Sequence, residues 1–138
     1  MLNDVVNKKD GELEAIFIFD VSIGLPLYQI STDPEMRKIL FGDNDIRYLS
    51  VALRDFRNLK QLSKALNSFG KSTKSGSLQY SIFVLQARQL MSYFYDLPHT
   101  PHTTVAICFV ALIDVPIDRL VDLCENKIDQ IKNELNKG

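Results

Sequence analysis

The 138 residues of this chain are the length of one domain, and a 46% hydrophobic content is enough to build its core. The 16 Lys and Arg nearly balance the 17 Asp and Glu, a formal net charge of −1. That balance lacks the basic excess of a duplex-binding protein, so nucleic acid is not an expected partner.

The amino-terminal stretch Met1–Gly11 carries Asp4, Lys8, Lys9 and Asp10 and has no apolar run. It reads as a flexible segment ahead of a single domain at 12–138, not as a signal peptide. The longest apolar runs, Ala15–Phe19 and Val105–Ile113, are strand-length. A membrane-spanning helix needs roughly 20 residues, so any membrane contact is expected to be peripheral. The two cysteines, Cys108 and Cys124, fall inside apolar patterns without a CxxC spacing. They read as buried thiols of a reducing compartment, which places the protein in the cytoplasm.

Leu13 to Val21 predicts a first strand. Strict alternation puts Leu13, Ala15, Phe17, Phe19 and Val21 on one face and Ile16 and Ile18 on the other. Ser22-Ile23-Gly24 signals a turn, and Leu25 to Ile30 a second strand, completing a hairpin. Pro26 has no N–H for a ladder and assigns that strand to a sheet edge. Thr32 to Asn44, with Pro34 and Gly42, reads as a loop.

Asp45 to Phe69 predicts a long helix. Leu49, Ala52, Leu53, Phe56, Leu59, Leu62, Leu66 and Phe69 recur at three and four, one apolar stripe expected to face the core. Asp43, Asn44 and Asp45 offer N-caps, and Gly70 offers the stop. After a polar loop at Lys71 to Ser77, Leu78 to Leu85 and Gln89 to Tyr95 predict a second hairpin. The loop Asp96 to Thr103 holds Pro98 and Pro101. Thr104 to Ile113 predicts a fifth strand, apolar on both faces. Pro116 then opens a second helix with Ile117, Leu120, Val121, Cys124, Ile128, Ile131 and Leu135 as its stripe.

The order β-β-α-β-β-β-α predicts an α+β layered domain with a five-stranded, mostly antiparallel sheet. Strands one and five, apolar on both faces, belong in its centre. With the proline-bearing strand at one edge, the order becomes 2-1-5-4-3. This arrangement, with the local run AIFIFDVSIGLPLY at residues 15 to 28, resembles the longin and roadblock/LC7 families. The pattern does not separate the two families; the hairpin-first start leans toward longin. The resemblance implies binding and no resident cofactor. Such domains sit in assemblies that regulate or recruit small Ras-like GTPases, and in vesicle-tethering and adaptor complexes. Many are dimers.

No catalytic constellation assembles. Gly70-Lys71-Ser72-Thr73 has the tail of a P-loop, but Ala65 stands where the leading glycine belongs, and the segment leaves a helix instead of entering one. His99 and His102 are three apart in a proline-rich loop with only Asp96 near in sequence, so they predict solvated histidines and no metal site. No nucleophile-elbow pattern is present.

Two features point to partners. The third strand, SLQYSIFVLQ at 77 to 86, has neither charge nor proline and is assigned to an edge. Such an edge needs covering. Leu78, Tyr80, Ile82 and Val84 are therefore the candidate site for pairing with a second copy or a related domain. Arg54, Arg57, Gln61 and Lys64 share a face of the long helix, a second candidate surface for an acidic GTPase or anionic lipid. The ordinary alternative for that face is solvated polar surface. The leading expectation is a non-catalytic, homodimeric scaffold acting with a small GTPase. The alternatives are a subunit of a vesicle-tethering or adaptor hetero-complex and, from another class, a small-molecule sensor or enzyme with a pocket between sheet and helix. The sequence names neither the GTPase nor the pathway, and shows no convergent polar groups for such a pocket.

Overall fold

A computed structural model describes residues 12–21, 25–31 (as backbone), Pro34 and 58–137. Five strands and two helices are described. They are β1 (Leu13–Asp20), β2 (Leu25–Ser31), α1 (Leu59–Ser72), β3 (Ser81–Val84), β4 (Arg88–Asp96), β5 (Thr104–Leu112) and α2 (Ile117–Asn136). The strands form one antiparallel sheet in the order β2-β1-β5-β4-β3. β1 and β5 are central, as their two-faced apolar runs require. Pro26 lies on the edge strand, opposite Phe19 and beside a break in register between Ile18 and Phe19. An edge with a bulge is where a residue lacking an N–H is tolerated.

The sheet separates two apolar clusters. On one face Ile16, Ile18, Met91, Tyr93, Ile107 and Phe109 pack under α2, which contributes Leu120, Leu123, Cys124, Ile128 and Ile131. Each buried Leu or Ile side chain contributes about 1.5–3 kcal/mol relative to exposure, so this layer dominates the core. On the other face lie Ala15, Phe17, Phe19, Val21, Ala106, Cys108 and Val110, with Leu59 of α1 packed against them. Cys108 and Cys124 form no disulfide and are buried, one in each cluster, with the sheet between them.

Several sequence expectations change. Leu13 belongs with Ile16 and Ile18, not with Ala15 and Phe17. The reason is a bulge: Leu13 pairs with Ala111 and Ala15 with Val110, so Glu14 is an extra residue that reverses the alternation. Its carboxylate meets the Arg88 Nε at 3.2 Å.

Gly70 does not stop α1, which runs on to Ser72. The left-handed position falls instead on Lys74, with φ of 57°. The Lys74 N–H donates to the Lys71 carbonyl and the Ser75 N–H to the Gly70 carbonyl at 2.7 Å, the pairing of a Schellman cap. Gly70 is buried in the last turns by the close approach of the Gly76 backbone, whose carbonyl oxygen a Cβ there would overlap. The P-loop-like fragment is thus a helix end.

Pro116 is extended and stands at the N-cap of α2 instead of in its first turn. Its carbonyl takes the Leu120 N–H. Leu123 joins the buried stripe, while Ile117 is exposed. The expected helix segment 45–57 lies outside the described residues.

Candidate functional site

The edge strand is shorter than the sequence suggests. β3 spans only Ser81–Val84 of the expected Leu78–Leu85, and among the described residues it pairs on one side, with β4. Leu78 and Tyr80 precede it. The Leu78 N–H is turned away from any ladder and donates to Asn67 Oδ1 of α1 at 2.7 Å. A helix side chain therefore captures the backbone that an extended strand would have offered. Tyr80 rests against Tyr93, with ring centroids 5.6 Å apart. Ile82 packs against the α2-side cluster. Val84 projects into solvent, 60% exposed. The four candidate edge residues are thus one open apolar position, two that anchor the edge to the core and one that lines a cleft below α1.

The second candidate surface also divides. Arg54 and Arg57 lie outside the described residues. Gln61 is exposed, and Lys64 lines the same cleft as Leu78.

What the sequence misses is the rotation of α1. Its periodic stripe Leu59, Leu62, Leu66 and Phe69 was expected to face the core. Only Leu59 packs there, while Leu62, Leu66 and Phe69 are exposed, Phe69 at 64%. The buried residues of α1 are Ser63 and Gly70, on the stripe one residue on, where half-buried Lys60 and exposed Asn67 line the cleft. At 3.6 residues per turn, that is about 100° around the helix. Periodicity marks both stripes; it does not say which one meets the sheet.

A further exposed group gathers where the β3–β4 turn meets the end of β5. The Leu85 N–H donates to the Arg88 carbonyl, the Ile113 N–H donates to the Ala87 carbonyl, and Leu85, Leu112, Ile113 and Ile117 are all exposed. Buried Gln89 pins this end, its Nε2 donating to the carbonyls of Leu112 and Val115.

Buried Cys108 and Tyr93 are not poised for nucleophilic work. Burial pushes the Cys108 thiol up to about 12, against a smaller opposing effect of its contact with Ser92. Burial, then the neighbouring Cys124 and the hydrogen bond to Glu125, push the Tyr93 hydroxyl well above its ordinary range. Neither is ionised at neutral pH. His99 and His102 are exposed in the β4–β5 loop, and among the described residues no three His, Cys, Asp or Glu gather as metal ligands. No described helix is long and apolar enough to cross a membrane.

A central β1–β5 pair, an antiparallel sheet ordered β2-β1-β5-β4-β3, a helix between β2 and β3 in the chain and a carboxy-terminal helix give a fold of the longin/roadblock type. Among solved structures, Myxococcus xanthus MglB is similar, with a TM-score of 0.60 and 12% identity over 99% of this chain and 92% of that one. At that identity the likeness is one of fold. No family model matches the sequence, and neither does a curated protein.

Proposed function

We propose that residues 12–138 form one non-catalytic interaction domain of the cytoplasm, which self-associates and works with a small Ras-like GTPase. The observation that carries the reading is the exposed apolar stripe Leu62, Leu66 and Phe69 on a helix of an isolated chain. Native monomers cover such stripes, and adjoining ones mark partner surfaces. The edge of β3 is the second element of the interface, a four-residue ladder that also presents Val84. Four residues of backbone pairing are too few to hold a dimer alone, so the helix stripe supplies the apolar area. The GTPase half of the proposal is what resemblance to longin and roadblock domains implies, and the fold likeness supports it.

Size-exclusion chromatography with light scattering tests the first half. The expected result is twice the chain mass at micromolar concentration; a clean monomer overturns it. Pull-downs with small GTPases from the same genome, loaded with GDP or a non-hydrolysable GTP analogue, test the second. Retention in one nucleotide state is expected, and indifference to all of them removes the GTPase. A second reading is a subunit of a vesicle-tethering or adaptor complex, favoured by the separate exposed group Leu85, Leu112, Ile113 and Ile117. It predicts poor solubility alone and rescue on co-expression with the partner.

A further inference from the structure

Between α1 and the end of the sheet lies a cleft of about 380 Å³. Lys60, Ser63, Lys64 and Asn67 of α1 line one side, and Phe94, Asp96 and Thr104 of β4 and β5 the other. Lys60 and Lys64 are four residues apart, hence neighbours on one helix face. Neither has an ion-pair partner among the described residues. Ser63 is 8% exposed, lines the cleft, and its hydroxyl has no hydrogen-bond partner among the described residues. A buried hydroxyl without a partner is uncommon and calls for one. Asn67 spends its carbonyl oxygen on the Leu78 N–H, which leaves its amide NH₂ as a donor. Across the cleft, Thr104 Oγ1 donates to Asp96 Oδ1 at 2.6 Å, so the Asp96 carboxylate is an acceptor already held in place.

One wall therefore holds two ammonium groups, a hydroxyl and an amide donor, and the other holds a fixed carboxylate. Donors in that number suit an oxyanion with several oxygens, whereas a fixed carboxylate suits a hydroxyl donor. Val21, Leu78 and Phe94 add apolar surface between them. We infer that this cleft binds a small soluble phosphomonoester with a hydroxylated body, of sugar-phosphate or mononucleotide size. Lys60, Lys64 and Ser63 hold the phosphate, and Asp96 accepts from a ligand hydroxyl. The volume is at the small end of ligand sites, which excludes a dinucleotide. This inference does not depend on the GTPase proposal: Lys64 is shared with the helix face offered to a GTPase, but ligand binding is read on the chain with no GTPase present, and neither the α1 outer stripe nor β3 contributes to the contacts.

Titration calorimetry and backbone NMR shifts of the full chain test it, with glucose 6-phosphate, adenosine monophosphate, glucose and inorganic phosphate as probes. One phosphomonoester should bind at least tenfold more tightly than glucose or inorganic phosphate, with shifts centred on 60–67, 96 and 104. The double variant Lys60→Gln/Lys64→Gln should lose at least tenfold in affinity, whereas Lys71→Gln, on the last turn of the same helix, should keep it. Ser63→Ala should weaken the ligand several-fold while leaving the urea midpoint of the ligand-free protein unchanged or higher. A purely structural serine would lower that midpoint instead. Absence of binding by either phosphomonoester at millimolar concentration overturns the inference. So does affinity that survives the double lysine variant, or inorganic phosphate binding as well as the esters.

Discussion

The two helices begin from the same kind of pattern and end in opposite situations. Both α1 and α2 have apolar residues at spacings of three and four. In α2 that stripe goes down onto the sheet, with Leu120, Cys124 and Ile131 fully buried. In α1 all of it but Leu59 points away, and Ser63 and Gly70 are buried instead, beside a cleft lined by Lys60 and Asn67. The helix that serves the core is also secured by polar contacts at its middle and its carboxy-terminal end. Tyr93 donates to Glu125 at 3.1 Å, Tyr95 donates to Asn136 at 2.6 Å, and Lys132 sits over the Tyr95 ring. α1 is held instead by its end: the Schellman cap, the Gly70–Gly76 approach and the Asn67 bond to Leu78. One helix contributes stability and the other presents chemistry.

The sharpest way to break this contrast is to truncate matching leucines. Leu120→Ala on α2 should cost about 2–5 kcal/mol, the range for a fully buried leucine. Leu66→Ala on α1 should cost under about 1 kcal/mol of chain stability, as for an exposed site, yet weaken self-association. Urea midpoints with light scattering on both variants check the pair; equal losses would mean that α1 also serves the core. Next, Gly70→Ala should destabilise by about 1–3 kcal/mol through overpacking against Gly76, despite the better helix propensity of alanine. Circular dichroism melts decide it, and a rise in Tm would show that the 74–76 turn moves freely.

The α1 face offers a pH test. The Cys108 thiol ionises near 9 when unfolded and near 12 when folded. Between those values the folded state holds the proton longer, so stability falls as pH rises, by at most about 1.4 kcal/mol per unit for one proton. Below 9 the contribution is constant. Cys108→Ala should flatten this alkaline slope in urea titrations from pH 8 to 11, with a residual slope from Tyr93. The smallest effect belongs to Glu14 and Arg88, whose side chains are 12% and 32% exposed. A double-mutant cycle there should give about 1 kcal/mol or less.

Much of the fold was legible because it rests on local chemistry. Pro26 identified an edge, and the two-sided apolar runs of residues 15–19 and 105–111 identified the centre. The candidate site was less legible, for three physical reasons. A 3.6-residue period fixes a stripe but not its azimuth, so Leu62, Leu66 and Phe69 looked like core. The length of β3 depends on a contact eleven residues away, Asn67 to Leu78, which no window of sequence displays. The polar cleft draws Ser63, Asn67, Asp96 and Thr104 from separate elements, and only the packing of α1 over the sheet end makes them converge. Ser63 carried one weak signal: a small polar residue in step with Gly70 along the helix, where close backbone approach is to be expected.

The bulge at Glu14 bears on how this chain should be matched to distant relatives. Residues Leu13 and Ala15 occupy consecutive rungs opposite Ala111 and Val110, and point to opposite faces, as if Glu14 were not there. Deleting Glu14 should therefore leave every inward side chain of the strand where it is, at the cost of one ion pair. An insertion beside Phe17, by contrast, would swap the two cores. A structure-guided alignment should open its gap at position 14. One that enforces strict alternation there would pair Leu13 with the wrong face of every homologue.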